Sequence, residues 1–413
     1  MLAGVDKALL KLYVATFFFV LLMAVGFPLV PQHLDITFGA SVFFIGLVSG
    51  VYGFAQVFLR LPMGDLADRK GRKTSLVATF LISGLAGVFY IFGPSKWYIL
   101  VGQGLFGLAS GVFWVAANSY LFDRVSAENV PKATSDYALA LGAGFLVGPP
   151  MGGWLADRFG FEWGLSVYLW ASVAGLALVA SLPEEQPEDR PEPEGGVYER
   201  AWRIFKHPDI RVSAFGTLLF GLLTGVLSGF FPVYIRGLAF TAFVVGVLIA
   251  LRQVFSLVAR IGLPDRIDRY GPRKVLLAGT LVGGITLGLL PFVERLPALA
   301  VYLPVPDDWF VLGGLCLLAI VAGFGMGVMV PSNLTLVNRG SPEHEKGLAN
   351  GIYGTALGLG NGVASWILGS LGEAWGIRWI FWVSGVAVAV FIGVIVVYSK
   401  THPSPVEPEA EEP

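Results

Sequence analysis

A chain of 413 residues in which 55% are hydrophobic and only 14% charged is not an ordinary soluble domain, where about 25% carry charge. Its 28 Lys and Arg are cancelled by 29 Asp and Glu, for a net charge of −1, which removes the basic footprint of a nucleic-acid binder, while the hydrophobicity excludes a disordered chain. The single cysteine, Cys316, rules out an intramolecular disulfide framework, and 54 glycines suit helices that pack backbone to backbone in lipid.

A helix crossing a bilayer needs roughly 20 apolar residues. From the amino terminus, the first such stretch covers 12–31, carries Thr16 and ends in Phe27-Pro28-Leu29-Val30-Pro31. It is too long for a cleaved signal peptide and lacks the small-residue site of one, so it is expected to stay in the mature protein. The second, 38–59, holds Tyr52 and Gln56. The loop before the third span, 74–95, reads Gly64-Asp65-Leu66-Ala67-Asp68-Arg69-Lys70-Gly71-Arg72-Lys73. Gly71 allows a tight turn there, and Asp68, Arg69 and Arg72 are placed to pair with neighbouring helix ends. Asp123 directly follows the fourth span, 97–122. Charge pairs of this kind hold one side of a bundle closed and break when the bundle rocks. The fourth span also contributes Gln103, Trp114 and Asn118.

The fifth span, 137–156, begins just after Asp136 and carries Gly144, Gly148, Pro149, Gly152 and Gly153. Gly144, Gly148 and Gly152 recur every four residues, giving one smooth face for close helix packing, here expected to join two halves of the molecule. Pro149 removes a backbone hydrogen bond and permits a bend. After the sixth span, 163–182, residues 183–210 form a hydrophilic linker rich in Pro and Glu at its start. Within it, Glu199–Lys206 reads as a short amphipathic helix with Trp202 and Phe205 toward lipid. Next come the seventh span, 212–235, with Thr224 and Ser228, and the eighth, 240–262, interrupted by Arg252 beside Gln253. A charged loop with Asp268 and Arg269 leads to the ninth span, 275–293. The tenth, 309–338, brings Met326 and Asn333, the eleventh, 347–372, Tyr353 and Asn361, and the twelfth covers 379–399. The tail, 401–413, is rich in Pro and Glu and expected to be disordered.

Twelve spans place both termini on one side. With that side inside, the inner segments hold 22 Lys and Arg and the outer loops five, so both ends are expected in the cytoplasm. The two halves, 1–182 and 211–400, also repeat. A shift of 200 residues sets Arg60, Asp65, Asp68, Arg69 and Gly71 on Arg260, Asp265, Asp268, Arg269 and Gly271, and a shift of 216 sets Gly107, Gly144 and Gly153 on Gly323, Gly360 and Gly369. Two six-helix bundles joined by a cytoplasmic linker are the plan of many secondary transporters, with the solute site at the midplane between repeats.

The 64–73 loop resembles the cytoplasmic signature of the major facilitator superfamily, and the Gly144–Gly153 segment resembles the motif of its proton-coupled antiporters. The resemblance implies an all-α membrane protein of twelve transmembrane helices in two pseudo-symmetric bundles. It implies that Gly64, Asp68, Arg69, Gly71, Arg72, Asp123 and the copy at Asp268 and Arg269 act in gating, with Asp123 as the partner of the bases. It also implies that the first, fourth, seventh and tenth spans line the cavity. The candidate solute-binding residues are then Tyr52, Gln56, Gln103, Trp114, Asn118, Thr224, Arg252, Gln253, Asn333, Tyr353 and Asn361. Antiporters of this type carry Arg where this chain has Gln103, which leaves the coupling ion open.

Arg252 is the one charge deep in a span, about 18 Å along the helix from its inner end at 1.5 Å per residue, where an unpaired Arg costs about 2.5–3.5 kcal/mol. It either meets an anionic solute or is satisfied by helix carbonyls, and it does not itself carry a proton because guanidinium stays charged. Asp136 is the candidate proton carrier, with compensation of a helix dipole as its competing role. His33, His207, His344 and His402 fall in loops or the tail, so neither a His relay nor a metal centre is expected, and no cofactor is implied. No G-x-x-x-x-G-K-[ST] loop provides for ATP. The expectation is a monomeric, multi-pass transporter of the cell membrane that exports a small organic or drug-like solute, with protons as the counter-ion. An organic-anion exchanger or uniporter using Arg252 is the alternative. An enzyme is not expected, since no span offers a nucleophile with a base or a set of metal ligands.

Overall fold

The computed structural model describes residues 6–70, 72–183, 196–299, 306–342 and 345–402, and among these every regular element is a helix. In chain order they are α1 (Lys7–Phe38), α2 (Val42–Lys70), α3 (Arg72–Phe92), α4 (Lys96–Asp123), α5 (Val130–Phe159), α6 (Phe161–Leu165), α7 (Val167–Ala180) and α8 (Val197–Phe205). There follow α9 (Pro208–Gly229), α10 (Phe231–Gly237), α11 (Ala242–Val258), α12 (Leu263–Tyr270), α13 (Pro272–Leu289), α14 (Leu296–Leu299), α15 (Asp307–Gly340), α16 (Lys346–Trp375) and α17 (Ile377–Thr401).

Nine helical stretches among the described residues are long and apolar enough to cross a membrane, or ten when the bent pair α11 and α12, at 62° to one another, is taken as one span. Twelve were expected, and the difference has local causes. In α2 the described side chains end at Val57, which leaves Val42–Val57 as a shorter apolar helix. Helix α16 is 30 residues long, ample for a bilayer, but its many glycines and polar residues dilute its hydrophobicity. The α11–α12 bend falls at Gly262, whose φ of +65° is a conformation that glycine adopts at little cost.

The chain divides into two compact units, residues 1–192 with 227–250, and residues 193–226 with 251–413. Residues 227–250, read from the sequence as part of the second half, therefore pack with the first unit. In that unit α4 lies against α2 and α3, α1 against α5 and α7, and α3 against α7. Its centre is aromatic: Phe19 stacks on Phe113 with ring centroids 3.8 Å apart and meets Phe80 edge-on at 6.2 Å. In the second unit α13 lies against α15 and α17, the pattern that α3 makes with α4 and α7, as expected for an internal repeat.

Exposed side chains follow the same logic. Val386, Val390, Val394 and Val397 on α17 are more than half exposed, an apolar face that only lipid satisfies. Trp97, Trp154, Trp163, Trp309, Trp375 and Trp379 are exposed near helix ends, where the indole body sits in hydrocarbon and its N–H reaches the headgroups. The linker helix forms where expected, with Tyr198 and Trp202 exposed, but Phe205, expected toward lipid, stacks on Trp202 at 5.7 Å and packs on the buried cluster of Ile204, Ile210, Val337 and Ala349. Arg200 pairs with Glu345 at 3.2 Å, tying the helix to the start of α16.

Candidate functional site

In the first unit, Tyr52 of α2 and Gln103 of α4 meet at a small crevice bordered also by Phe27, Val30, Ser49 and Ser228. Tyr52 is buried, its hydroxyl 3.0 Å from Ser110 Oγ and 3.4 Å from Met23 Sδ. Gln103 is also buried, and its Oε1 accepts a 2.6 Å hydrogen bond from the Tyr90 hydroxyl. A neutral, satisfied amide thus stands where a guanidinium was expected from the antiporter pattern. Gln56 is buried beside Gly111 of α4. Trp114 is half-buried and edge-on to Phe19 at 6.2 Å, while Asn118 is exposed. The wall of the crevice is therefore mostly apolar, with Phe27 and Tyr52 as its aromatic residues and Ser49, Gln103 and Ser228 as polar groups, the composition of sites for largely apolar ligands.

The glycine face of α5 packs inside its own unit. A Cβ at Gly144 would lie 2.8 Å from Val20, at Gly148 2.8 Å from Ala24, and at Gly152 2.9 Å from Val25, all on α1. Gly153 and Pro149 face elsewhere, against the backbone of Ala242 and Gly246 in α11. The expectation that the three-glycine face joins the two sequence halves is corrected accordingly: that face serves α1, and the neighbouring positions serve α11. Replacing Gly148 with leucine is expected to cost about 1–3 kcal/mol by overpacking the α1–α5 seam, read as a lower melting temperature of the purified protein in detergent. Gly148→Ala should fall well below that.

Among the expected gating groups, Arg72 forms an ion pair with Asp123 and donates to the Ser119 carbonyl at 2.9 Å, which fastens the start of α3 to the end of α4. Gly71, and the side chains of Asp68 and Arg69 with the surroundings of Gly64, lie outside the described residues. In the copied loop, Asp268 and Arg269 are exposed on α12, with the Arg269 guanidinium 5.4 Å from the Tyr270 ring. The buried charge there is a different one. Arg273 Nε donates to Asp209 Oδ1 at 2.8 Å and its Nη1 to the His402 carbonyl at 2.8 Å. Both side chains are almost wholly excluded from solvent. Sequence reading missed this pair, although the 200-residue offset that relates the two loops sets Arg273 opposite Lys73.

The second unit holds the remaining candidates. Arg252 is half-buried, and its Nη1 lies 3.4 Å from the thioether sulfur of Met326, a weak acceptor. Gln253, next to it, is half-buried. Asn333 is fully buried with neither amide atom hydrogen-bonded, and the Oδ1 of buried Asn361 is equally unmet. The backbone of Asn361 lies against Gly221 and Gly225 of α9, so small residues bring these amides into the helix seam. Thr224 donates to the Gly221 carbonyl of its own helix at 2.9 Å. Tyr353 packs on the Ile204–Ile210–Val337–Ala349 cluster beside the linker helix, not with Asn333. Asp136 is half-buried and close enough to the buried Tyr13 of α1 to act on it electrostatically. No group of three or more His, Cys, Asp or Glu among the described residues is arranged to hold a metal ion.

The family model of the Major Facilitator Superfamily matches residues 12–293 and 214–413. The chain is 27% identical over 385 residues to the multidrug resistance protein MdtG of Enterobacter lignolyticus, covering 89% of this chain and 86% of that one. It is 26% identical over 403 residues to MdtG of Klebsiella pneumoniae, covering 94% and 90%. Among solved structures, a POT family transporter in complex with 5-aminolevulinic acid superposes with a TM-score of 0.77 at 11% identity over 98% of both chains. The nucleoside transporter NupG does so with a TM-score of 0.70 at 15% identity, over 96% of this chain and 100% of that one. With a family match that runs from the first span to the carboxyl terminus, on an all-helical fold shared with solved transporters, the chain belongs to the Major Facilitator Superfamily and is a multi-pass membrane transporter.

Proposed function

We propose that this transporter exports a small organic, drug-like solute by alternating access, driven by inward proton flow. The observation that carries the reading is the match along almost the whole length to relatives named multidrug resistance proteins. The largely apolar lining beside Tyr52 and Gln103 supports it, since lipophilic solutes need apolar area and few hydrogen bonds. In this reading the polypeptide makes twelve crossings, with α2, α11–α12 and α16 completing the set, both termini are cytoplasmic, and the monomer is the working unit. Asp68, Arg69 and the Arg72–Asp123 pair belong to the inner gate, with Asp268 and Arg269 as its counterpart. Asp136 is the proton carrier, because it is a half-buried carboxylate at the start of the glycine-motif helix, and a carrier must titrate.

The test is transport of a panel of lipophilic dyes by the full-length protein in proteoliposomes with an imposed pH gradient. Gradient-driven flux is expected for the parent, and a loss of at least about tenfold for Asp136→Asn, the scale of removing a positioned proton-transfer group. Flux that ignores the gradient in the parent would defeat the antiport reading. The second reading, an organic-anion exchanger or uniporter, is favoured by one observation: the Arg252 guanidinium meets a thioether rather than a carboxylate, leaving its charge available to an anionic solute. Flux that needs a counter-anion on the far side would select it.

A further inference from the structure

Besides the copy at 265–271, the loop signature occurs a third time, in a segment that the inner gate does not use. Gly64-Asp65-Leu66-Ala67-Asp68-Arg69-Lys70-Gly71 recurs as Gly153-Trp154-Leu155-Ala156-Asp157-Arg158-Phe159-Gly160 at the far end of α5, on the side assigned as outer. There the aspartate of the motif is engaged. Asp157 Oδ1 accepts from the Ala242 N–H at 2.9 Å and Oδ2 from the Phe243 N–H at 2.7 Å, the first two residues of the 17-residue helix α11. These donors have no partner within the helix, and the positive end of the helix dipole adds to their pull on a carboxylate. Arg236 Nη1 lies 3.7 Å from Asp157 Oδ1 and donates to the Phe240 carbonyl at 3.1 Å, bracing the loop into which Ala239 bends with a φ of +65°. Asp35, at the end of α1, also acts on Arg236.

Beneath this contact the two helices touch through backbone. A Cβ at Gly153 would overlap the Ala242 carbonyl, and one at Gly246 would overlap the Pro149 carbonyl. Seating α11 this closely needs glycine on both helices, and Asp157 holds the end where α11 begins.

We propose that Asp157 is the latch of the outer gate: its carboxylate, on the amino terminus of α11 and beside Arg236, keeps α11 seated on α5, and its release frees α11 when the outer side opens. This rests on the alternating-access reading. It gives the motif a like task on both faces, so that an aspartate of the Leu-Ala-Asp-Arg segment guards each. The latch is polar and exposed at its rim, with Asp157 about a quarter exposed, so water can replace the bonds as they open, and the apolar seam under it sets how far the helix must lift.

The test uses Val245, which is fully buried on α11, as reporter. In the full-length protein with Cys316→Ala and Val245→Cys, reconstituted without solute, alkylation by a membrane-impermeant maleimide reports lifting of α11. Asp157→Asn, which removes the charge at the helix amino terminus and one of the two acceptor oxygens, is expected to raise the labelling rate about fivefold, and Arg236→Gln to raise it less. Asp157→Glu, which keeps the charge, should retain most of the protection. Labelling within twofold of the parent in both Asp157→Asn and Arg236→Gln would overturn the proposal. If Asp157→Asn fails to fold, Arg236→Gln decides alone, since it leaves α5 untouched. Dye flux in the parent separates the two claims: flux with unchanged labelling removes the latch and leaves the transport reading, whereas absence of flux removes the transport reading whatever the labelling.

Discussion

Asp209→Ala is expected to be the most damaging single substitution for stability. It leaves Arg273, which is 5% exposed, without its counter-charge at the point where the starts of α9 and α13 meet. One of its bonds, to the His402 carbonyl, survives, but a carbonyl dipole does not balance a full charge away from water. Breaking a buried pair by deleting one partner costs about 3–5 kcal/mol, so the melting temperature in detergent should fall by far more than for any exposed charge. The double variant Asp209→Ala with Arg273→Met should recover much of the loss, because it removes the stranded charge and replaces it with apolar volume. A fall for the double variant as large as for the single one would show that the pair contributes through shape and not charge. By contrast, removing Glu294 from its pair with the largely exposed Arg378 should be close to neutral, since solvent and salt screen that charge.

The second large effect is expected at Arg252. Its guanidinium is placed in a span with Met326 sulfur at 3.4 Å as hydrogen-bond partner, so it retains most of its donor capacity for a solute. A hydrogen bond to a charged group contributes about 1.5–3 kcal/mol, equivalent to roughly 10- to 150-fold in affinity. Arg252→Gln should therefore weaken binding of anionic solutes by at least about tenfold on that scale while leaving neutral and cationic lipophilic ones within about threefold, measured as competition against a fluorescent dye. Arg252→Lys should restore only part of the loss, because a point charge does not reproduce the planar donor fork. Equal weakening for anions and cations would assign Arg252 to helix packing. That outcome has a physical route, because Gly323 sits against the Arg252 backbone carbonyl and a local shift in α11 would spread to α15.

Much of the architecture was legible because lipid imposes a simple rule on sequence: about 20 apolar residues for each crossing, bases inside and glycine where helices touch. Arg72 and Asp123 were legible as partners only through the resemblance of the 64–73 loop to the family signature, and the ion pair bears that expectation out. The segment at α11–α12 was harder, since Arg252 interrupts its apolar run in the sequence. Asp209 was unreadable as a buried group: it follows a proline at the edge of the linker, in a setting that normally marks a solvated helix start. Tyr90 was passed over because an aromatic residue in an apolar span has no sequence mark to show that its hydroxyl will find Gln103.

Composition and periodicity by themselves determined that this chain lives in a bilayer, as an all-helical polypeptide with a repeated half and a charged loop in each repeat, because hydrophobic length and charge placement are properties of the chain read in order. Which glycine meets which helix, that residues 227–250 pack with the first unit, and that Asp157 rather than another carboxylate sits on the amino terminus of α11 were decided only by the tertiary structure. These depend on contacts between residues far apart in sequence, such as the 85 positions between Asp157 and Ala242, and no local pattern encodes a partner at that distance.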